Sequence, residues 1–250
     1  MELKVDIQYA QLVELVRQLP LVEQRNLMVE MQQIIAQSQK SDPFDENHKL
    51  TRQHILDIAA QFPSDYHWTY DELCKHFPSD SNIPVEIIQN RLFIMPSPSE
   101  IHQELTFEIC ALMKSYARKH KLGKVIISPF DVIWEDGNDV AIPDVLFVSL
   151  SRQHILDGKK ATDSPDLVVE VWSPSNNPQY RVEKREMYES RGVPEFWQVY
   201  PQKKRITVEV LDGKTSKYVV FSEVNQQGMI KSKVLEGFEM DVEALFEMVE

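Results

Sequence analysis

Residues 165–175 read PDLVVEVWSPS, an apolar run from Leu167 to Trp172 interrupted only by Glu170 in its middle. A short valine-rich run bounded by proline and serine is a buried strand. A carboxylate inside such a strand is costly unless it is hydrogen-bonded, paired or bound to a cation. The same anomaly occurs upstream in DVAIPDVLFVS, residues 139–149, where Asp144 follows Pro143 at the start of another buried run. Two such acids on neighbouring strands can converge on one divalent ion. Mg²⁺ suits them, because it takes one or two carboxylates and completes its shell with water and phosphate oxygens.

Working outward, the run at 166–172 is flanked by a helix at about 181–191 and by strands at 194–200, 205–211 and 217–223, with a last short helix from 241. Upstream, residues 125–134 and 140–149 are β-rich on either side of the hairpin signal Glu135-Asp136-Gly137-Asn138. A long amphipathic helix covers about 99–120, with Ile101, Leu105, Ile109, Leu112 and Tyr116 on one face. Before it, VEII and RLFIM flank Gln89-Asn90 as a tight hairpin, and Thr69 with Glu72 opens a short helix over 69–76. The order predicts an α/β fold with one mixed central β-sheet flanked by helices.

Residues 1–62 differ in character. Two amphipathic stripes meeting at Pro20 predict a helical hairpin over 1–38, followed by the linker-like KSDPFDENHK and a third short helix near 49–61. The division expected is a helical extension and linker at 1–62 and a main domain at 63–250. The hairpin reads either as an oligomerisation or partner element, giving a homodimer or a protein partner, or as a helical extension packed on the main domain. The hexapeptide Arg-Gln-His-Ile-Leu-Asp occurs at both 52–57 and 152–157 with unlike flanks, and reads as coincidence.

With 250 residues, 42% hydrophobic and 26% charged, the chain can build a large core and is neither fibrous nor wholly disordered. No run approaches the roughly 20 apolar residues of a membrane span, and the N-terminus lacks a signal-peptide pattern. A soluble, cytoplasmic protein without membrane contact is expected. Cys74 and Cys110 are too few for a disulfide framework or a four-thiolate zinc site, and read as reduced core thiols. Twenty-seven basic against 39 acidic residues, net −12, argue against a broad polyanion-binding surface. A local basic groove stays open at 114–124, where Lys114, Arg118, Lys119, Lys121 and Lys124 occur without a carboxylate. A solvated helix end, its cations complementing the helix dipole, explains the same residues.

The helix after the second acidic strand carries Lys184, and His102 lies in the first turn of the long helix after Ser97-Pro98-Ser99. Two carboxylates and a lysine are what phosphodiester hydrolysis by water needs: the acids hold a metal that acidifies its water, and the lysine orients that water or offsets charge. Taken singly, each residue has a plainer reading. Asp144 is then a turn residue, Glu170 the partner of an arginine such as Arg185, and Lys184 a solvated cation.

From about 66 to the C-terminus the chain resembles the Uma-two family, a group of inferred restriction endonucleases abundant in cyanobacteria and assigned to the PD-(D/E)XK nuclease superfamily. The resemblance rests on Val85-Glu86-Ile87-Ile88, Met95-Pro96-Ser97-Pro98 with His102, Pro143-Asp144-Val145, and Pro165-Asp166-Leu167-Val168-Val169-Glu170-Val171 with Ser173-Pro174-Ser175. Lys184, Tyr188, Gly192-Val193-Pro194-Glu195-Phe196-Trp197 and Gly237-Phe238 continue it. It implies a restriction-endonuclease-like core with the N-terminal hairpin appended, and Asp144 and Glu170 as ligands of Mg²⁺ or Mn²⁺. It also implies a catalytic lysine that has moved from the strand position now held by Trp172 to the helix as Lys184, with His102 and Glu86 as further catalytic positions. Tyr180, Asn90-Arg91 and Tyr200 depart from the family pattern. The activity implied is hydrolysis of DNA by a metal-dependent endonuclease. The alternative is a protein of the same fold with weak or no turnover, acting as a DNA-binding, regulatory or protein-interaction module.

Overall fold

The computed structural model describes residues 52–249 except 64, 78–83 and 174–175, together with 16–20, 23, 24, 27 and 30. The chain divides into two compact units, Met1–Lys49 and Leu50–Glu250. In the first, residues 16–18, 23, 24, 27 and 30 are helical. The rest of the expected hairpin over 1–38 lies outside the described residues, and so does the partner surface expected of it.

The second unit opens with α1 (Arg52–Ala59) and α2 (Tyr70–His76), followed by β1 (Val85–Ile88), β2 (Arg91–Ile94) and α3 (Glu100–His120). Next come β3 (Gly123–Ile127), β4 (Asp131–Ile133), β5 (Val140–Ala141), β6 (Val145–Ser149), β7 (Lys160–Ala161), β8 (Leu167–Val171) and α4 (Pro178–Ser190). The chain ends with β9 (Glu195–Tyr200), β10 (Arg205–Leu211), β11 (Tyr218–Asn225), β12 (Met229–Lys231), β13 (Glu239–Asp241) and α5 (Val242–Glu247). The repeated hexapeptide is α-helical at 52–57, whereas at 152–155 it forms a 3₁₀ turn that leads into a bridge at Leu156. Context decides its conformation.

The expected mixed sheet is present, with strand order β11-β10-β9-β8-β6-β3. Its one parallel pair, β8 with β9, is joined by the α4 crossover, and its other pairings are antiparallel. A second, five-stranded sheet of order β2-β1-β5-β4-β7 corrects the expectation of a single sheet. The runs 125–134 and 140–149 are each divided, between β3 and β4 around Pro129 and between β5 and β6 around Ile142-Pro143. Proline offers no N–H to a ladder, so each run leaves one sheet and enters the other. The hairpin around 135–138 therefore joins β4 to β5 in the small sheet, while β3 pairs with β6 in the large one.

Alternation along β8 sorts its side chains. Leu167, Val169 and Val171 enter a core beneath α3 and α5 with Leu105, Ile109, Trp197 and Phe246. Val168 and Trp172 face a second core with Met187 and Tyr188 of α4 and with Val132 and Ala141 of the small sheet. Glu170 shares the parity of Val168 and Trp172, so the strand period puts it on the α4 side, at the seam between the sheets. Ile55 of α1 is buried with Trp68, Val85 and Ile87 in a third cluster. Cys110 is buried but Cys74 is exposed. This corrects its reading as a core thiol: the short helix α2 has no fully buried residue. Among the described residues no helix is long and apolar enough to cross a membrane.

Candidate active site

The helix α4 starts on Pro178 behind an Asn177 cap, whose side chain accepts from Gln179 N at 2.9 Å. Its period then stacks Tyr180, Lys184 and Tyr188 along one face, and all three are buried. That face meets both sheets. Lys184 Nζ lies 2.9 Å from Oε1 of Glu86 on β1 and 2.8 Å from Oε1 of Glu170 on β8. Tyr188 donates to Glu170 Oε1 at 2.8 Å, and Tyr180 donates to Glu86 Oε2. Glu86 Oε1 also accepts from the backbone N–H of Ile142 at 2.6 Å.

Asp144 sits where β5 gives way to β6. The last ladder pair of β6 with β8 is Val145↔Val169, and one step further sets Asp144 across from Glu170. Its Oδ2 accepts from Val171 N at 2.7 Å and its Oδ1 lies 3.0 Å from Nε2 of His102. An ionised carboxylate only accepts, so Nε2 carries the proton of that bond. His102 is placed by its helix start, where Ser99 caps α3 through a 3.3 Å bond from His102 N.

Burial dominates the electrostatics. It pushes the Glu170 carboxyl up to about 8, opposed by Lys184 and reinforced by the charges of Asp144 and Glu86. Burial alone would lower the Lys184 ammonium, but Glu170 and Glu86 outweigh it and hold that pKa well above its ordinary value. One cation thus serves two buried acids, and a proton on Glu170 leaves the cluster neutral. At His102, burial lowers the pKa, and the hydrogen bond and charge of Asp144 reverse this to a net rise.

Glu86, His102, Asp144, Glu170 and Lys184 all line one cleft of about 1500 Å³. The plainer readings of two of them do not hold. Arg185 binds Glu209 at 2.7 Å rather than Glu170, and Lys184 is buried rather than solvated. Sequence reasoning gave Tyr180 and Tyr188 no role in holding the acids, although their spacing of four from Lys184 was a signal. Among the described residues no group of three or more His, Cys, Asp or Glu is arranged to hold a metal ion. The donor set of Asp144 and Glu170 still suits Mg²⁺. Both protein contacts of Glu170 fall on Oε1, and each Asp144 oxygen has one partner, which leaves lone pairs for a hard cation. The basic stretch is exposed at the opposite end of α3 from His102, and none of its five cations lines the cleft. Arg52, Lys159 and Lys160 do.

A family model described as "Putative restriction endonuclease" matches residues 69–243, more than half of the chain, and spans all five cleft residues. The chain belongs to the Uma2 family. The Uma2 match agrees with the resemblance read from the sequence, and the fold agrees with a solved structure. That structure is "a putative nuclease belonging to DUF820 from Anabaena variabilis ATCC 29413", similar at a TM-score of 0.60 and 16% identity over 73% of this chain and 99% of that chain. At such identity the likeness speaks for the fold. No curated protein matches the chain.

Proposed function

We propose that this Uma2 protein is a metal-dependent endonuclease that hydrolyses DNA phosphodiester bonds. The observation that carries the reading is the convergence of Asp144, Glu170 and Lys184 in one cleft, from the start of β6, from β8 and from α4. Mg²⁺ or Mn²⁺ held by Asp144 and Glu170 would supply an acidified water and charge neutralisation at the phosphate. Asp144 is aimed by Val171 N on one side and His102 on the other. Glu170 is aimed by Tyr188. Lys184 brings a permanent positive charge to the cleft, and Glu86 fixes where that charge stands. A positioned ammonium stabilises the charge that builds on phosphoryl oxygens during in-line attack.

The second reading is a nuclease-fold protein with little or no turnover that binds DNA or regulates a partner. It is favoured by the ammonium already seated between Glu86 and Glu170, which satisfies both acids without a metal. Nicking of supercoiled plasmid by the full chain separates the two. Cleavage that needs Mg²⁺ and is lost in Asp144→Asn supports the endonuclease. Plasmid binding with no cleavage under any divalent ion supports the second reading.

A further inference from the structure

The sheet face that carries Glu170 holds a second polar cluster, which the site above does not use. Trp172 follows β8 and Tyr200 ends β9. Both donate to Oε1 of Gln198, the indole at 3.2 Å and the phenol at 2.8 Å. Gln198 lies across from Glu170 in the parallel ladder, and its Nε2 donates to Glu209 Oε2 at 2.8 Å, so its amide is fixed at both ends. Each ring in turn carries a guanidinium. Arg205 stands over Tyr200 at 4.3 Å and Arg181 over Trp172 at 5.7 Å. Arg181 Nη2 also donates to Ser173 O at 2.6 Å, and Trp172 and Ser173 line the cleft.

These two arginines differ from four others in the unit. Arg91, Arg152, Arg185 and Arg191 each hold a carboxylate within salt-bridge distance. Among the described residues Arg181 and Arg205 hold none, in a chain of net charge −12 where acids are plentiful. Their Nε atoms are buried without a hydrogen-bond partner. A guanidinium stacked on an aromatic face and not neutralised by an acid keeps its outer N–H groups for a planar or tetrahedral oxyanion. Two of them beside a cleft suited to a phosphodiester point to the same chemistry.

We propose that Arg181 and Arg205, mounted on Trp172 and Tyr200, bind a backbone phosphate of the nucleic acid next to the one in the cleft. This rests on the endonuclease reading and assigns it a binding surface. It also gives a role to Trp172, which holds the strand position from which the lysine has moved, and to Tyr200, where the chain departs from the family pattern.

The test is fluorescence anisotropy of a labelled duplex of about 20 base pairs, in EDTA so that binding is read without cleavage, from about 50 to about 200 mM KCl. Arg181→Gln and Arg205→Gln should each flatten the slope of log affinity against log salt, and the double variant should flatten it by up to about 0.9, the worth of the one phosphate they share. Arg205→Lys should keep the slope. Should Arg181→Gln fail to fold through loss of its bond to Ser173, Arg205→Gln carries the test alone, since Arg205 makes no such backbone bond. A folded double variant with the wild-type slope overturns the arginine subsite and leaves the endonuclease reading standing. A wild-type protein with no affinity for the duplex at the lowest salt overturns the nucleic-acid reading itself.

Discussion

Lys184 and Glu170 meet at 2.8 Å in a place where each is almost inaccessible, their side chains 2% and 5% exposed, and the same ammonium stands 2.9 Å from Glu86. Removing the cation would leave two acids facing each other without countercharge. Lys184→Met is expected to cost about 3 to 5 kcal/mol in urea denaturation near neutral pH, the usual penalty for stranding a buried partner. Adding Glu86→Gln should recover a large part of that loss. A strictly additive double variant would show that the two residues are not coupled.

Glu170 gives stability a distinct pH dependence. Its pKa is raised from an ordinary 4.5 to about 8, mainly by burial, so between those values the folded chain binds more protons than the unfolded one. Its contribution is therefore full at acid pH and is lost as pH climbs through about 8. In denaturation series from about pH 5 to 9, wild type should lose stability with rising pH, and Glu170→Gln should follow a flatter curve.

His102 offers a spectroscopic check on the Asp144 geometry. Burial lowers its pKa, but the bond and charge of Asp144 give a net rise above 6.5. The ring resonances of His102 should titrate above that value in wild type. In Asp144→Asn the carboxylate charge is gone while the desolvation stays, and the midpoint should fall relative to wild type. An unmoved midpoint would mean that the 3.0 Å contact does not govern the ring.

Ser99 sets the start of the helix that delivers His102. Ser99→Ala removes the acceptor for His102 N and should lower stability by about 1 kcal/mol, as N-cap losses do. Ser99→Asp, which restores an acceptor and adds a charge favourable to the helix dipole, should recover it. Thermal melts of the three proteins decide this.

The large sheet and the two acids were legible because each leaves a local trace. Glu170 and Asp144 break apolar runs, and the Gln89-Asn90 turn between β1 and β2 is flanked by strand-forming residues. Lys184 had no local trace, since in a polar helix a lysine is ordinary, and it entered through the chemistry expected of the two acids and through the resemblance. Its bond to Glu86 spans 98 positions, which no periodicity encodes. The second sheet was missed for a different reason. Pro129 and Pro143 were visible, but strand propensity continues on both sides of each, and only the three-dimensional pairing shows that the chain changes sheets there. The tyrosines of α4 were hidden by their own apolarity, because a buried tyrosine reads as core until its hydroxyl is given a partner.

The acid pair is split between sheets, Glu86 from the five-stranded one and Glu170 from the six-stranded one, and α4 lies between them. In chain order Glu86 is made early and Lys184 only 98 residues later, so a growing polypeptide carries the acids before it carries the cation that lets them be buried together. A chain stopped before α4 has both sheets' acids and no means of joining them. Translation must therefore pass the helix before any fragment is competent. A product truncated before that helix would keep Glu86 and Glu170 without the countercharge they share in the folded chain.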